Sequence, residues 1–365
     1  MNMHNILQVM MSPSDSTAFV GSLISKQLKC FDFTNCYLHG EGDVDTVSFR
    51  FNKRTTSGVF RYLVYVIMYF KILQKKPQLI IAHRFKCVDV SSVLAKLFKC
   101  PLIIVVHGVG EYDRAYRRRT LNKIVKQGAT VVCVSKYVEK YIRSKVDNSL
   151  SECTNQILTI ENAIDFEKVA GEQLSKIEAL DEIGFSSKSK ILIGYVGRLA
   201  NVKGVLDFVH AACMSEHKNY HFIVIGDGPL REELENIVTK HNGNVSISFL
   251  GFVPAAFKVF RAFDFMVLPS RSEGFPVALL EAVASKTPFV LTNIDIYKEI
   301  VGEEGVFYSP GNINELCEKI SFFEDLYLSG ELKKYGENQA LKITNKYPYQ
   351  NFVRCYERLL MEKLS

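Results

Sequence analysis

Short apolar runs alternate with longer stretches of helical spacing along almost the whole chain. No other feature constrains the fold as tightly. Leu79–His83, Leu102–His107 and Thr130–Val134 are close to continuously apolar, as strands buried on both faces are. Stretches of helical periodicity separate them, around Val88–Phe98, Ala115–Lys126 and Lys136–Lys145. Repetition of strand, helix and strand predicts βαβ units and a parallel sheet. Further strands are expected at Ile6–Met10, Phe31–Leu38, Val44–Phe49 and Gln156–Ile160, and helices at Thr17–Lys29 and Val59–Gln74. The rhythm breaks at Glu161-Asn162-Ala163-Ile164-Asp165 and at a polar stretch, Gly171–Lys190. It restarts with strands at Ile191–Val196, His221–Ile225, Val245–Leu250, Phe265–Leu268, Phe289–Leu291 and Gly305–Tyr308. Helices fit Val205–Ser215, Pro229–His241, Ala255–Ala262, Pro276–Ser285, Ile313–Tyr327 and Pro348–Lys363. The fold class is α/β, with two doubly wound domains in tandem. Residues 1–165 form the first and 166–347 the second, with 348–365 a helix packing back on the first. Ligands of such sheets bind at the carboxyl ends of the strands, so the cleft between two domains is the expected site.

A length of 365 residues suits two cores better than one. The 47% apolar and 23% charged content exclude a disordered chain. No apolar run approaches the roughly 18 residues that span a bilayer, and Met1-Asn2-Met3-His4-Asn5 carries no basic leader. Nine cysteines without a CxxC pair fit a reducing compartment. A cytoplasmic protein is expected, with the inner face of the cell membrane a second possibility. The net charge of +6 conceals an asymmetry. Residues 1–165 hold 23 Lys and Arg against 13 Asp and Glu, and the remainder hold 22 against 26. A basic first half suggests an anionic partner or a solvated basic surface.

The second half carries the most specific chemistry. Phe265–Leu268 runs into Pro269-Ser270-Arg271-Ser272-Glu273-Gly274-Phe275-Pro276 and then into an apolar helix. Pro276 is expected in its first turn, where a missing N–H costs little. Glu281 is the one charge on that helix, and a buried carboxylate needs a partner, either a ligand or a buried cation. The strand-to-helix turn aims backbone N–H groups and a positive helix end outward, which favours phosphate. Ile191–Val196 leads into a second loop, Gly197-Arg198-Leu199-Ala200-Asn201-Val202-Lys203-Gly204. Arg198 and Lys203 at a strand's carboxyl end suit a diphosphate, one as a bidentate donor and one as a point charge. Gly226-Asp227-Gly228-Pro229-Leu230 reads as a tight turn capped by Asp227. Gly251-Phe252-Val253-Pro254 ends another strand and offers Phe252 as an aromatic wall for a base.

Together these residues resemble the GT-B retaining glycosyltransferases, and most closely glycosyltransferase family 4. Glu273 and Glu281 match an E-x7-E motif, Gly197-Arg198-Leu199 with Lys203-Gly204 a G-R-L-x-x-x-K-G loop, and Gly226–Leu230 a G-x-G-P-L turn. Asn162-Ala163-Ile164-Asp165 matches the interdomain link. The resemblance runs from Met1 to about Tyr349 and is strongest from 191 to 310. It implies two Rossmann-like domains facing across a cleft and transfer of a sugar from a UDP- or GDP-linked donor, with no metal or other cofactor. It implies that Arg198 and Lys203 neutralise the diphosphate. Glu273 would hold the sugar with the backbone amides of Gly274 and Phe275, Pro276 would belong to the same donor site, and Glu281 would bind the ribose. His107, at a strand end in the first domain, would lie near the reacting carbon. The acceptor would be a glycan or a lipid-linked sugar, with a role in surface polysaccharide synthesis. A sugar-nucleotide epimerase and a non-catalytic binding subunit are the alternatives.

Several features depart from the family. Its first loop often carries a Gly-Gly pair; here Ser12, Ser14 and Ser16 would have to serve. The loop Asn293–Glu299 lacks the usual glycines and is assigned no donor contact. Asp43-Val44-Asp45 reads as a turn before a strand, and His217 with His221 as unrelated histidines. The aromatic, apolar segment from Val59 to Lys76 is too short to span a bilayer. It reads as a helix covering the sheet, or as a peripheral membrane contact of the basic first domain, with Arg114 and Arg117–Arg119 adding charge. No nucleic-acid-binding module is present.

Overall fold

A computed structural model describes residues 3–13, 16–40, 46–49, 51, 60–147, 149–150, 155–185, 190–215, 219–241 and 244–365, without the side chains of 16–19 and 60–62. The chain forms two compact units, Met1–Asn162 with Gln350–Ser365, and Ala163–Tyr349.

In the first unit, seven parallel strands run in the order β3-β2-β1-β4-β5-β6-β7. They are β1 (His4–Met10), β2 (Phe31–Tyr37), β3 (Thr46–Ser48), β4 (Leu79–His83), β5 (Leu102–Val106), β6 (Thr130–Cys133) and β7 (Ile157–Thr159). Every residue of β4, β5 and β6 is buried, which explains their unbroken apolar character. Strand order reverses between β1 and β4, so the loops after these strands diverge there. The C-terminal helix Tyr349–Leu364 buries Phe352, Tyr356, Leu359 and Leu360.

The second unit has six parallel strands in the order β10-β9-β8-β11-β12-β13. They are β8 (Ile191–Val196), β9 (Tyr220–Ile225), β10 (Ile247–Gly251), β11 (Phe265–Leu268), β12 (Phe289–Thr292) and β13 (Val306–Tyr308). Its core joins Ile193, Tyr195, Phe208, Phe222, Phe265 and Phe323. The reversal falls between β8 and β11, the strands that feed the two motif-bearing loops.

Several expectations are corrected. Gly171–Lys190 is not simply a polar connection: Lys176–Glu182 is a helix. Ser175 and Glu178 form a reciprocal capping box at its start. Asn293–Glu299 is not an open loop, since the helix Asp295–Val301 begins inside it. A further helix, Leu332–Lys346, has no counterpart among the expected elements. Ala256–Ala262 is a 3₁₀ helix. Pro276 precedes the helix Val277–Ser285, with φ −82° and ψ 94°, instead of lying in its first turn. Asp43-Val44-Asp45 and His217 lie outside the described residues. His221 accounts for itself inside β9: its two ring nitrogens bond the hydroxyls of Ser246 at 2.7 Å and Ser248 at 2.9 Å.

Candidate active site

The loops after β8 and β11 are held to each other by backbone. Arg271 N–H donates to the Val202 carbonyl at 2.9 Å. Gly204 sits at φ +63°, and a Cβ there would lie 1.8 Å from the Pro269 carbonyl oxygen. Only glycine tolerates that approach. The same holds at Gly226, with φ +138° and a Cβ position 1.9 Å from the Gly197 carbonyl oxygen. Asp227 accepts from the Gly228 N–H at 2.6 Å, which tightens that turn as its sequence suggests. The glycines of the two matched motifs therefore let three loops interlock at the carboxyl end of the sheet.

Lys203 and Glu273 meet in this arrangement, Nζ to Oε1 at 2.5 Å. Sequence reading gave them separate tasks and did not foresee their pairing. Ser270 Oγ donates to the same carboxylate oxygen at 2.7 Å. Tyr297, on the unforeseen helix Asp295–Val301, lies within hydrogen-bonding reach of Ser270. Thr292 donates its hydroxyl to the Ser270 carbonyl. Beneath the loop, Arg271 pairs with the buried Asp207 at 2.9 Å. Asp207 also accepts from Tyr308 at 3.2 Å and from the Gly311 N–H at 2.8 Å. The Glu273 loop is thus fixed from below by a fully bonded carboxylate and from the side by Lys203. Sequence alone gives no spacing signal for Asp207, Ser270 or Tyr297, which only the fold gathers.

Glu281 differs from Glu273. It lies mostly buried on the helix Val277–Ser285 and has no hydrogen bond or ion pair among the described residues. The alternative of a buried cation beside it is therefore not realised there. Burial pushes its carboxyl up from 4.5 to about 7. A protein that carries an unpaired carboxylate at such a place carries a cost that a ligand could relieve.

The remaining expected donor residues take distinct positions. Arg198 is exposed, and its carbonyl accepts from the Tyr195 hydroxyl at 3.0 Å. Its guanidinium has no partner among the described residues, which leaves its donors for an anion. Phe252 follows β10 with 76% of its surface exposed. Phe275 is buried edge-to-face against Tyr347, with ring centroids 6.0 Å apart, so it shapes the turn from inside. Gly274 and Pro276 are buried beside it.

In the first unit, His107 directly follows β5. Its Nε2 lies 3.1 Å from Nδ1 of His83, the last residue of β4. Burial, then His83 and Arg84, hold the His107 imidazole well below its ordinary range, so it is neutral at physiological pH. Glu111, also buried and raised by that burial, accepts from the Phe85 N–H at 2.9 Å. Arg117 stacks on Phe85 at 4.8 Å and donates to the Glu111 carbonyl at 2.9 Å, which makes it part of the scaffold. Ser12 is half-buried after β1. Ser14 lies outside the described residues, and Ser16 opens the helix Ser16–Gln27 with its side chain likewise outside them. Among the described residues, no group of three or more His, Cys, Asp or Glu is placed to hold a metal ion.

Residues 176–341 match the family described as Glycosyl transferases group 1, and residues 36–168 match Glycosyltransferase Family 4. An uncharacterized glycosyltransferase of Methanocaldococcus jannaschii is 29% identical over 290 residues, 74% of this chain and 72% of that protein. An Escherichia coli UDP-Gal:alpha-D-GlcNAc-diphosphoundecaprenol alpha-1,3-galactosyltransferase is 27% identical over 63% of this chain and 62% of its own. The E. coli O-antigen biosynthesis glycosyltransferase WclY is 29% identical over 45% of this chain, which spans about half of that relative's length. Among solved structures, a Rickettsia africae glycosyltransferase matches with a TM-score of 0.82 at 17% identity over the whole of both chains. Anabaena HepE in complex with UDP-glucose matches at 0.81 and 16% identity over 98% of this chain and 99% of that one. At such identity these two likenesses establish the fold.

Proposed function

Because this chain is a GT-B glycosyltransferase of the family 4 type, we propose that it is a retaining, metal-independent enzyme moving a hexose from a UDP- or GDP-linked sugar. The acceptor is a glycan or lipid-linked sugar, in the assembly of a surface polysaccharide of the O-antigen or capsule kind. One observation carries the reading: Lys203, Glu273 and Glu281, which has no partner among the described residues, stand on elements that leave β8 and β11, the two strands flanking the sheet's reversal. Relatives named for O-antigen synthesis and for UDP-Gal transfer support the pathway class and put UDP first among the bases.

In this reading Arg198 and Lys203 bind the donor diphosphate. Lys203 has three donors, so it can keep Glu273 while it takes a phosphate oxygen. Glu281 accepts the ribose hydroxyls, which supplies the partner the free protein lacks. Phe252 offers its exposed face to the base, and Ser12, Ser14 and Ser16 serve the acceptor side. Glu273 and the Gly274–Pro276 turn hold the transferred sugar. During transfer the bond from the anomeric carbon to the phosphate oxygen breaks, and its electron pair stays on the diphosphate. Arg198 and Lys203 stabilise the charge that grows there. The acceptor oxygen bonds to the same face of that carbon and gives its proton to the departing phosphate. No side chain is needed as the base in that scheme.

The helix Phe60–Ile72 and the turn after it support a membrane-facing role for the first unit, at the cytoplasmic surface. Leu63, Val66, Ile67, Phe70 and Leu73 are exposed at helical spacing, with Lys71, Lys75 and Lys76 beside them. Apolar side chains flanked by lysines suit an anionic lipid surface. Among the described residues, no helix is long and apolar enough to cross a membrane.

The test is a thermal-shift panel of UDP, GDP, ADP and CMP with their common sugars, since a ligand that binds only the folded state raises its stability. The variants Lys203→Ala and Glu281→Ala should remain folded and lose transfer. Full activity in both would overturn the assignment, and donor turnover without acceptor would point instead to an epimerase.

A further inference from the structure

A chain of buried and half-buried polar groups crosses four adjacent strands of the first sheet, where apolar side chains are the rule. Gln8 on β1, Asn35 on β2 and His83 on β4 lie in neighbouring registers, and His107 follows β5. Gln8 and His83 have no exposed surface at all. Buried polar groups persist where their hydrogen bonds are complete, and here the partners also fix the direction of every bond. The Gly21 backbone carbonyl, which can only accept, lies 2.9 Å from one amide terminus of Gln8. That terminus is therefore the NH₂, which also donates to Asn35 Oδ1 at 3.0 Å. The other terminus, Oε1, lies 3.0 Å from His83 Nε2 and can only accept. His83 Nε2 must then carry a proton. Full burial against a neutral amide disfavours an imidazolium, so His83 Nδ1 is bare. Nε2 of His107, 3.1 Å away, has to donate to it. A neutral His107 is left with a bare Nδ1, which has no partner among the described residues.

We infer that Gln8 and His83 are positioning residues that fix the proton of His107 on Nε2. His107 thereby faces its ligand through Nδ1 as a hydrogen-bond acceptor, selecting a ligand hydroxyl over an ionised carboxylate. Arg84 disfavours a protonated His107, and Glu111 accepts from the backbone N–H of Phe85. The first clause stands on the hydrogen bonds together with the burial that keeps both imidazoles neutral. The second rests on the expectation, drawn from the family resemblance, that His107 lies near the reacting carbon of the sugar.

The experiment uses the full-length protein labelled with ¹⁵N-histidine, where two-bond proton–nitrogen correlations identify the protonated ring nitrogen. Both His83 and His107 should carry the proton on Nε2. A proton on Nδ1 of either overturns the relay, whatever the enzyme does. Gln8→Glu places a carboxylate against His83 Nε2, which favours imidazolium there and turns its Nδ1 into a donor. His107 should respond by moving its proton to Nδ1, while Gln8→Met should leave a mixture of tautomers. A folded Gln8→Glu protein whose His107 keeps its wild-type signature overturns the relay. Should that variant not fold, the wild-type spectrum and Gln8→Met decide. UDP and UDP-glucose then probe the ligand side. With the switched tautomer, UDP-glucose affinity should fall roughly tenfold, the loss of about one hydrogen bond, while UDP affinity holds. A confirmed switch with an unchanged ratio would retain the relay and overturn the sugar-facing role of His107.

Discussion

Glu281→Gln isolates the most unusual group in the second unit. The substitution keeps the shape and removes the charge. Burial raises the Glu281 carboxyl from 4.5 to about 7, so the folded protein holds this proton more tightly than the unfolded chain. That contribution to stability is complete below about pH 4.5 and is lost as pH rises toward 7. The displacement corresponds to about 3 kcal/mol, an upper figure that partial solvation lowers. Wild type and Glu281→Gln should therefore unfold alike near pH 4.5. They should separate as pH rises, with the variant the more stable by up to about 3 kcal/mol at pH 8. Calorimetry of the ligand-free protein across this range reads the difference, on the transition that UDP-glucose displaces. A gap that does not change with pH would refute the argument, because it would place the cost in packing and not in ionisation. Ligand affinity should show the mirror image. In the proposed reading ribose hydroxyls donate to the ionised carboxylate, so binding below pH 7 would first have to expel a proton. The affinity of wild type for UDP-glucose should fall about tenfold from pH 8 to pH 6, and that of Glu281→Gln should be weak and flat. UDP-glucose is the proper probe, because the terminal phosphate of free UDP itself titrates near neutrality.

Other expectations are simpler. Asp207→Ala removes the acceptor beneath the Glu273 loop and strands Arg271; it should cost about 3 kcal/mol of stability by urea unfolding, and little change would show that the loop is held elsewhere. Gly204→Ala drives a Cβ toward the Pro269 carbonyl; expression and melting temperature should drop sharply, and a native-like protein would mean the two loops separate freely. In a double-mutant cycle on Lys203 and Glu273 the coupling should be near 1 kcal/mol, because the pair is partly exposed. Zero coupling would mean the contact is incidental. Replacing Val66 and Phe70 by Glu should abolish flotation with anionic vesicles and leave UDP binding unchanged; flotation retained would remove the proposed lipid contact.

The strands were legible because parallel strands are covered on both faces and read as unbroken apolar runs. The loops after β8 and β9 were legible because glycine spacing there reflects close backbone approach, at Gly204 and Gly226 above all. Other elements hid for physical reasons. Gly336 reads as a helix breaker, yet the helix Leu332–Lys346 needs it: a Cβ there would lie 2.4 Å from the Lys286 carbonyl oxygen. Ser175 and Glu178 have a capping-box spacing, but the surrounding polar residues mask it. Gln8 and His83 could not be connected from sequence. Their contact depends on β1 lying beside β4, although 75 positions separate the two residues.

The backbone interlock among the loops after β8, β9 and β11 has a consequence for descent. Gly204 against Pro269 and Gly226 against Gly197 leave no room for an inserted residue or a drifting loop. Lineages diverging in sugar or acceptor preference would have to vary side chains on this frame, or change the first unit. Change would accumulate outside these contacts, while the glycine-locked loops stayed recognisable over very long divergence.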